Sequence, residues 1–296
     1  MSARKGCIFR HPREKRRIEN GYDPDMSSLA TRMKALHPHL ERLYLRWNRP
    51  EYVSPDPLQF LREYPDPSDR EIVGLVASSL AFGNVKQIVR SIELVLAQMP
   101  QPSRWLAAAS PRTIRSSFQG FRHRYVTGHE LAAMLIGAKR IREKHGSLGA
   151  CLGHYINADD VDVCNALGMF VVTLNGAGTK NYLVPEPLRG SACKRLHLYL
   201  RWMVRADAVD PGGWNLVSPR LLLMPVDTHI HRIATQLGIT ERRAADIRTA
   251  REITAAFRLI APHDPVRYDF ALTRLGIRAD TLDETFLVEC SSPFQP

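Results

Sequence analysis

The stretch that decides the fold is Pro-Val-Asp-Thr-His-Ile-His-Arg-Ile, residues 225–233. Apolar residues then follow at the i, i+3, i+4, i+7 spacing of one helix face, and they are Ile230, Ile233, Ala234 and Leu237. Gly238 marks the end of that helix. Asp227 is therefore predicted to be the N-cap, where free backbone N–H groups and the helix dipole favour the ionised carboxylate. The alternative is an ordinary helix cap with no chemical role.

A second predicted helix begins near Lys194, and its core-facing residues are Leu196, Leu200, Met203 and Val204. Residues 188–192 before it predict a tight turn of small residues, whose backbone N–H groups can approach a phosphate. A lysine amine held beside a carboxylate can open a glycosidic bond, because the amine attacks the sugar carbon while the carboxylate stabilises the cationic sugar. The alternative is that Lys194 is one solvated lysine of a basic protein.

Residues 188–227 resemble the hairpin-to-aspartate segment of the helix-hairpin-helix DNA glycosylase superfamily, which contains endonuclease III and the 8-oxoguanine glycosylases. The family's segments read Leu-Pro-Gly-Val-Gly-x-Lys and Val-Asp-Thr-His, and this chain has Leu-Arg-Gly-Ser-Ala-Cys-Lys and Val-Asp-Thr-His. The resemblance implies that Lys194 is the nucleophile and Asp227 the catalytic aspartate. It also implies that DNA is contacted by the hairpin and the residue after the lysine, namely Gly190, Ser191, Ala192 and Arg195.

The hairpin departs from the family pattern, since Arg189 replaces the proline and Ala192 the second glycine. The separation of lysine and aspartate is longer than in endonuclease III and more similar to that of the archaeal 8-oxoguanine glycosylases.

Upstream, residues 71–88 are similar to the family's early helix–loop–helix, whose loop fills the gap left by a flipped base. Phe82 or Asn84 is expected to fill that gap, because base extrusion costs a few kcal/mol; the alternative for Phe82 is a buried core position. Residues from about 47 to 277 also resemble a bacterial family of unknown function.

Helical periodicity extends through most of the chain and predicts an all-α fold of one helical domain, residues 26–296. The predicted helices are 30–48, 57–64, 69–81, 84–99, 111–117, 129–144, 147–155, 161–174, 192–205, 228–237, 240–257 and 265–276. The resemblance implies a two-lobed helix-hairpin-helix glycosylase-like fold with the DNA cleft between the lobes. Residues from about 84 to 205 form the middle lobe, and the N- and C-terminal segments form the other.

The chain is strongly basic, with 41 Lys and Arg against 30 Asp and Glu and a formal net charge of +11. Such a surplus favours polyanionic partners. Residues 1–25 are predicted to be a disordered basic tail, because they lack apolar periodicity and carry much of the surplus charge. This tail either binds phosphate nonspecifically or lies upstream of a natural start at Met26.

The positions of the cysteines bear on both the cofactor and the cellular location of the protein. Five cysteines are scattered, at positions 7, 151, 164, 193 and 290, so the four-cysteine iron–sulfur loop of endonuclease III is not expected, and neither is any other cofactor or metal. The cysteine pattern and the lack of a signal peptide predict a cytoplasmic, nucleoid-associated protein. No apolar run approaches the roughly 18 residues of a membrane span. The expected state is a monomer that binds double-stranded DNA at a damaged or abasic site.

Four further interpretations stay open at this point. His229 and His231 form a His-x-His pair like that of the first metal-binding strand of amidohydrolase barrels, although only about 70 residues follow, too few for such a barrel. A glycosylase-like module that binds DNA without cutting it is the main alternative to an enzyme. Arg201 and Arg205 face either phosphate or water, and residues 121–125 either contact phosphate and stack on bases or form a solvated loop with one buried ring. The favoured function is a DNA glycosylase with abasic-site lyase activity, acting on an oxidised purine.

Overall fold

The computed structural model describes residues 24–187 and 190–277. This part of the chain is mostly helical, as predicted. Its α-helices are α1 (Pro24–Trp47), α2 (Gln59–Arg62), α3 (Pro67–Ser79), α4 (Val85–Leu96), α5 (Pro102–Ala108), α6 (Pro111–Ser117), α7 (Gly128–His145), α8 (Leu148–His154), α9 (Cys164–Asn175), α10 (Lys194–Val204), α11 (Thr228–Gln236), α12 (Ile247–Arg258) and α13 (Asp269–Ile277). A small antiparallel sheet joins β1 (Arg122–His123) to β2 (Val126–Thr127). Short 3-10 turns occupy Pro50–Tyr52 and Pro219–Leu221.

Local sequence signals explain where several helices begin. Asp66 caps α3 by accepting the backbone N–H of Ser68, and Pro67 opens the helix with its φ already fixed. Thr127 and Glu130 form a reciprocal capping box at the start of α7. Asp246 caps α12 by accepting the backbone N–H of Thr249. These caps satisfy backbone donors that the first helical turn leaves free.

The buried apolar residues form two clusters. The larger one runs from Val53 to Leu222 and also takes in Val266 and Phe270. The smaller one joins the two ends of the described chain, because α1 packs with α11, α12 and α13 around Met33, Leu40, Ile230, Ile253 and Leu272. The larger cluster allows close helix approach: a Cβ added to Gly137 on α7 would lie 1.9 Å from the Leu174 carbonyl oxygen on α9.

The boundaries differ from the predicted ones at several helices, and α1, for example, begins at Pro24 rather than at residue 30. α5 was not predicted, the segment predicted at 57–64 is helical only over Gln59–Arg62, and the helix predicted at 240–257 begins at Ile247. The last of these differences has a clear cause, since the Asp246 cap fixes the start of α12. The predicted basic tail lies almost entirely outside the described residues, as do Leu188 and Arg189 of the hairpin. Among the helices that the structure describes, none has the length and apolarity to cross a membrane.

Candidate functional site

Lys194 and Asp227, predicted from two separate motifs, form an ion pair. The Lys194 Nζ lies 2.9 Å from the Asp227 Oδ2, and the two side chains are 35% and 15% exposed. Lys194 is the first residue of α10, and Asp227 immediately precedes α11. The pair therefore joins a helix of the larger apolar cluster to a helix of the smaller one.

Backbone geometry sets the positions of both side chains. Asp227 has the predicted N-cap role, because its Oδ1 accepts the backbone N–H groups of His229 and Ile230, both at 2.9 Å. The Oδ2 is thereby left for Lys194. On the other side, Cys193 holds a left-handed conformation (φ 43°), which costs a non-glycine residue about 1–3 kcal/mol and is typical of functional sites. The turn is supported by Ser191, whose hydroxyl accepts the Cys193 N–H at 3.2 Å.

The ion pair lies at a cavity of about 640 Å³. The loop between α3 and α4 lines it with Phe82 and Gly83, and α10 contributes further lining residues. Asp227, His229 and residues of α13 line it as well. Its volume falls in the range of about 300–1,000 Å³ that is typical of small-ligand sites.

Two carboxyl groups that line this cavity have pKa values shifted in opposite directions from the usual aspartate value. Burial alone would raise the pKa of Asp227, but the Lys194 ammonium and the backbone N–H of Ile230 more than offset it, so the pKa lies below the usual aspartate value. Asp269 is completely buried, and burial raises its pKa to about 6 in spite of the neighbouring Arg201. Asp227 is therefore a stable anion at neutral pH, whereas Asp269 takes up a proton in mildly acidic solution.

A buried ion-pair network forms one boundary of the cavity. Arg201 pairs with Asp210 at 3.1 Å and with Asp269. Arg205 pairs with Asp207 (2.8 Å), Asp264 (3.0 Å) and Asp210. The expectation that these two arginines face phosphate or water is wrong, because both side chains are almost fully buried among carboxylates that satisfy them.

The predicted hairpin contacts lie beside Lys194. Gly190 is exposed with φ 88°, and its carbonyl oxygen accepts the Ile247 N–H at 3.1 Å, which ties the hairpin to α12. Ser191 is exposed, and Ala192 is buried. Arg195 donates from Nη1 to the Ser79 carbonyl oxygen (2.6 Å) and from Nη2 to the Tyr182 carbonyl oxygen (2.5 Å). Its guanidinium thus fastens the hairpin to the end of α3.

Phe82 and Asn84 flank the cavity but already have partners within the protein. The Phe82 ring contacts the edge of His123 at 4.7 Å, and the Arg195 guanidinium lies 4.8 Å from the Phe82 ring centroid. Phe82 is half-buried against the larger apolar cluster. Asn84 caps α4, since its side-chain oxygen accepts the Lys86 N–H at 3.0 Å. In this conformation neither side chain is positioned to fill the gap left by a flipped base.

The two histidines of the metal-hydrolase interpretation lie on a helix rather than a strand, since both belong to α11. His229 lines the cavity, whereas the Nε2 of His231 donates to the Arg242 carbonyl oxygen at 2.7 Å. In the part of the chain that the structure describes, no group of three or more His, Cys, Asp and Glu side chains could hold a metal ion.

Sequence reasoning missed the contribution of α13 to the cavity. Asp269, Phe270, Thr273 and Arg274 line it, and Arg274 pairs at 2.6 Å with Asp56, which also lines it. Periodicity predicted the helix at 265–276 but no role for it in the site. The signal that could have identified Asp269 and Arg274 is their place among the apolar residues of this helix, because charged side chains are rarely buried without a partner.

Comparisons with known proteins provide one family. Residues 56–278 match the family described as "Protein of unknown function (DUF2400)". No curated protein and no solved structure matches the chain. The matched region contains α2 to α13 with both Lys194 and Asp227, and it covers most of the sequence. The chain therefore belongs to the DUF2400 family of proteins of unknown function.

Proposed function

We propose that the protein is a DNA glycosylase with abasic-site lyase activity, in which Lys194 is the nucleophile and Asp227 stabilises the sugar cation. The observation that carries the proposal is the 2.9 Å contact between the Lys194 amine and the Asp227 carboxylate at the edge of a cavity of about 640 Å³. The similarity of residues 188–227 to the helix-hairpin-helix glycosylases, and a fold of that type, belong to the same proposal.

The reaction uses the two side chains in sequence. Lys194, after losing its proton, forms a bond from Nζ to C1′ of the nucleoside, and the C1′–N bond breaks with its electron pair leaving on the base, which takes up a proton. The Asp227 carboxylate stabilises the positive charge that develops on the sugar. Opening of the sugar ring then gives a Schiff base, and loss of a C2′ proton expels the 3′ phosphate by β-elimination. Hydrolysis of the Schiff base restores the amine.

The contacts of Asp227 suit this role better than the role of a cap alone. Its Oδ1 accepts both cap hydrogen bonds, so the cap does not need the Oδ2. The Oδ2 accepts from Lys194, and the lowered pKa keeps the group anionic at neutral pH. A carboxylate fixed in this way needs little reorganisation when positive charge develops beside it.

The substrate class that we propose is double-stranded DNA with a damaged base, an oxidised purine being the first to test. The net charge of +11 supports a polyanionic partner. A cavity of this size has room for a purine base together with its sugar. We propose further that the protein acts as a monomer in the cytoplasm and uses no cofactor.

Borohydride trapping tests the proposal. Purified protein is incubated with duplexes that carry 8-oxoguanine, thymine glycol, uracil or an abasic site, and a Schiff base is reduced to a permanent protein–DNA adduct. We expect an adduct with wild type and none with Lys194→Met. Lys144→Met is the matched control, because Lys144 is an exposed lysine of α7 that does not line the cavity, and it should trap like wild type.

The outcomes separate the proposal from its main alternative. An adduct that forms equally with Lys194→Met would contradict the assignment of the nucleophile. No adduct with any substrate, together with salt-sensitive DNA binding, would instead favour a binding module that does not cut DNA. The altered hairpin, with Arg189 in place of the proline and Ala192 in place of the second glycine, is the observation that keeps this alternative open.

A further inference from the structure

A row of aromatic side chains leads from the cavity to the protein surface. Phe82 lines the cavity, and its ring centroid is 5.5 Å from that of Tyr125. Tyr125 is in turn 5.7 Å from Tyr182, centroid to centroid. Tyr125 is 59% exposed and Tyr182 68% exposed. Adjoining aromatic rings that remain in contact with water are typical of an interaction surface.

A buried histidine supports the loop that presents Tyr125. Tyr125 lies in the two-residue turn between β1 and β2, where Arg124 has φ 55°. The neighbouring His123 donates from Nε2 to the Phe82 carbonyl oxygen at 3.0 Å, and its Nδ1 is 2.9 Å from the Ser91 hydroxyl. Burial lowers the pKa of His123, so these contacts are made by the neutral ring. Because the turn is already ordered, a ligand that stacks on Tyr125 does not have to order it.

A basic groove adjoins the aromatic row. It has a volume of about 530 Å³, and its lining residues are Gln87, Arg90, Ser91, Leu94, Arg122, His123 and Arg124. Three of these residues are arginines, and none of the described residues that line the groove is acidic. Arg124 belongs to both features, since its guanidinium is 5.9 Å from the Phe82 ring centroid. Positive charge and exposed rings therefore share one surface beside Lys194.

We propose that Tyr125 and Tyr182 stack on unpaired nucleobases while the arginines of the basic groove bind phosphates of the same strand. The protein then prefers DNA with unpaired bases to an intact duplex. The reason is that bases of a duplex cover each other's faces, so an exposed ring can stack only on a base that has left the helix. Arginines bind the backbone without reading sequence, so this surface tolerates any sequence. The inference rests on the proposed function in taking DNA as the partner of the neighbouring cavity.

Fluorescence anisotropy with the full-length protein tests this preference. The probes are a fluorescein-labelled single strand of twelve thymidines and a labelled duplex of the same length. Wild type should bind the single strand more tightly, and the double variant Tyr125→Ala/Tyr182→Ala should lose about tenfold or more of that affinity, since each stacked base contributes substantially. The double variant Tyr125→Phe/Tyr182→Phe keeps both rings and should bind like wild type.

Variants of the groove arginines test the same proposal independently. Arg90→Ala and Arg122→Ala should each weaken single-strand binding and flatten its salt dependence by about 0.7 in the slope of log K against log salt. Leu216→Ala removes an exposed apolar side chain elsewhere and should change neither quantity. Equal wild-type affinity for the two probes, or no loss with the double alanine variant, would overturn the proposal.

Failure of this inference and failure of the proposed function are distinguishable. Borohydride trapping reports the amine of Lys194, whereas the anisotropy comparison reports the two tyrosines, so each proposal has its own readout. If the tyrosine variants bind normally while wild type is still trapped on abasic DNA, only the stacking surface is wrong. If wild type is never trapped but the tyrosine variants lose single-strand binding, only the lyase proposal is wrong.

Discussion

One helix, α10, carries two very different cation–carboxylate contacts. Lys194, on its first turn, pairs with Asp227 at the edge of an open cavity. Arg201 and Arg205, farther along, each meet at least two carboxylates and are almost fully buried. An arginine offers five N–H donors and keeps its charge, which suits a fixed network, whereas a lysine can lose its proton and become a nucleophile. Burial and residue type together therefore distinguish ion pairs that stabilise the fold from ion pairs that are suited to catalysis.

The largest expected effect is a loss of stability when the buried network is broken. Arg205→Met leaves Asp207, Asp210 and Asp264 without one of their partners, and uncompensated buried charge typically costs about 3–5 kcal/mol. Urea denaturation should show this decrease in the free energy of unfolding. Lys194→Met should change it by less than about 1 kcal/mol, because that pair is partly exposed. Equal losses in the two variants would break the comparison.

The next effect concerns catalysis. Asp227→Asn keeps an oxygen for the backbone N–H groups of α11 but removes the charge that faces the sugar. Base release should fall by about 10²- to 10³-fold, the usual cost of removing one electrostatic contact to a transition state. Single-turnover kinetics on a damaged base from the trapping panel would measure it. Trapping on a preformed abasic site should persist, since Lys194 is intact; loss of both activities would mean that Asp227 positions the lysine instead.

A third effect is the pH dependence of stability, which should have opposite sign for Asp269 and Asp227. The folded-state pKa of Asp269 is raised to about 6, so this group disfavours folding above pH 6 and favours it progressively as pH falls toward 4. The pKa of Asp227 is lowered, so its contribution is present above the unfolded value and is lost as pH falls through the folded one.

Urea denaturation of wild type and Asp269→Asn at pH 7.5 and pH 5 would show the difference. Wild type should gain stability relative to the variant as the pH is lowered between these values. Asp227→Asn is the matched comparison, and its difference from wild type should stay nearly constant over the same range, because Asp227 remains ionised there. A constant difference for Asp269→Asn as well would contradict the raised pKa.

The smallest expected effect is the contribution of the Asp227 helix cap to the free energy of unfolding. Asp227→Ala removes both the charge and the cap, whereas Asp227→Asn removes the charge alone. The alanine variant should therefore be less stable than the asparagine variant by about 1 kcal/mol, the usual contribution of an N-cap side chain. The comparison uses urea denaturation at neutral pH, and identical stabilities would mean that the cap hydrogen bonds to His229 and Ile230 contribute nothing.

Local sequence signals predicted the parts of the site that depend on helix ends. The spacing after Asp227 predicted α11 and its cap, and the turn before Lys194 predicted the start of α10 within two residues. α5 was missed because it is a short helix whose N-cap, Gln101, makes no side-chain cap.

Contacts between distant residues could not be predicted from the sequence. Arg201 and Asp269 are 68 positions apart, and no local pattern reveals that they pair inside the cavity wall. The same holds for Arg274 and Asp56, and for the inward course of Arg195. Arg201 and Arg205 were expected to face phosphate or water, and the resemblance implied that Arg195 contacts DNA. Tertiary packing instead pairs all three arginines with groups inside the protein.

Locating the covalent bond between protein and DNA would test the role of Lys194 as the nucleophile. Wild-type protein trapped with borohydride on abasic DNA would be digested with protease and nuclease, and the modified peptide would be sequenced by mass spectrometry. We expect the reduced sugar adduct on the Nζ of Lys194. An adduct on another lysine or on the N-terminal amine would contradict this assignment.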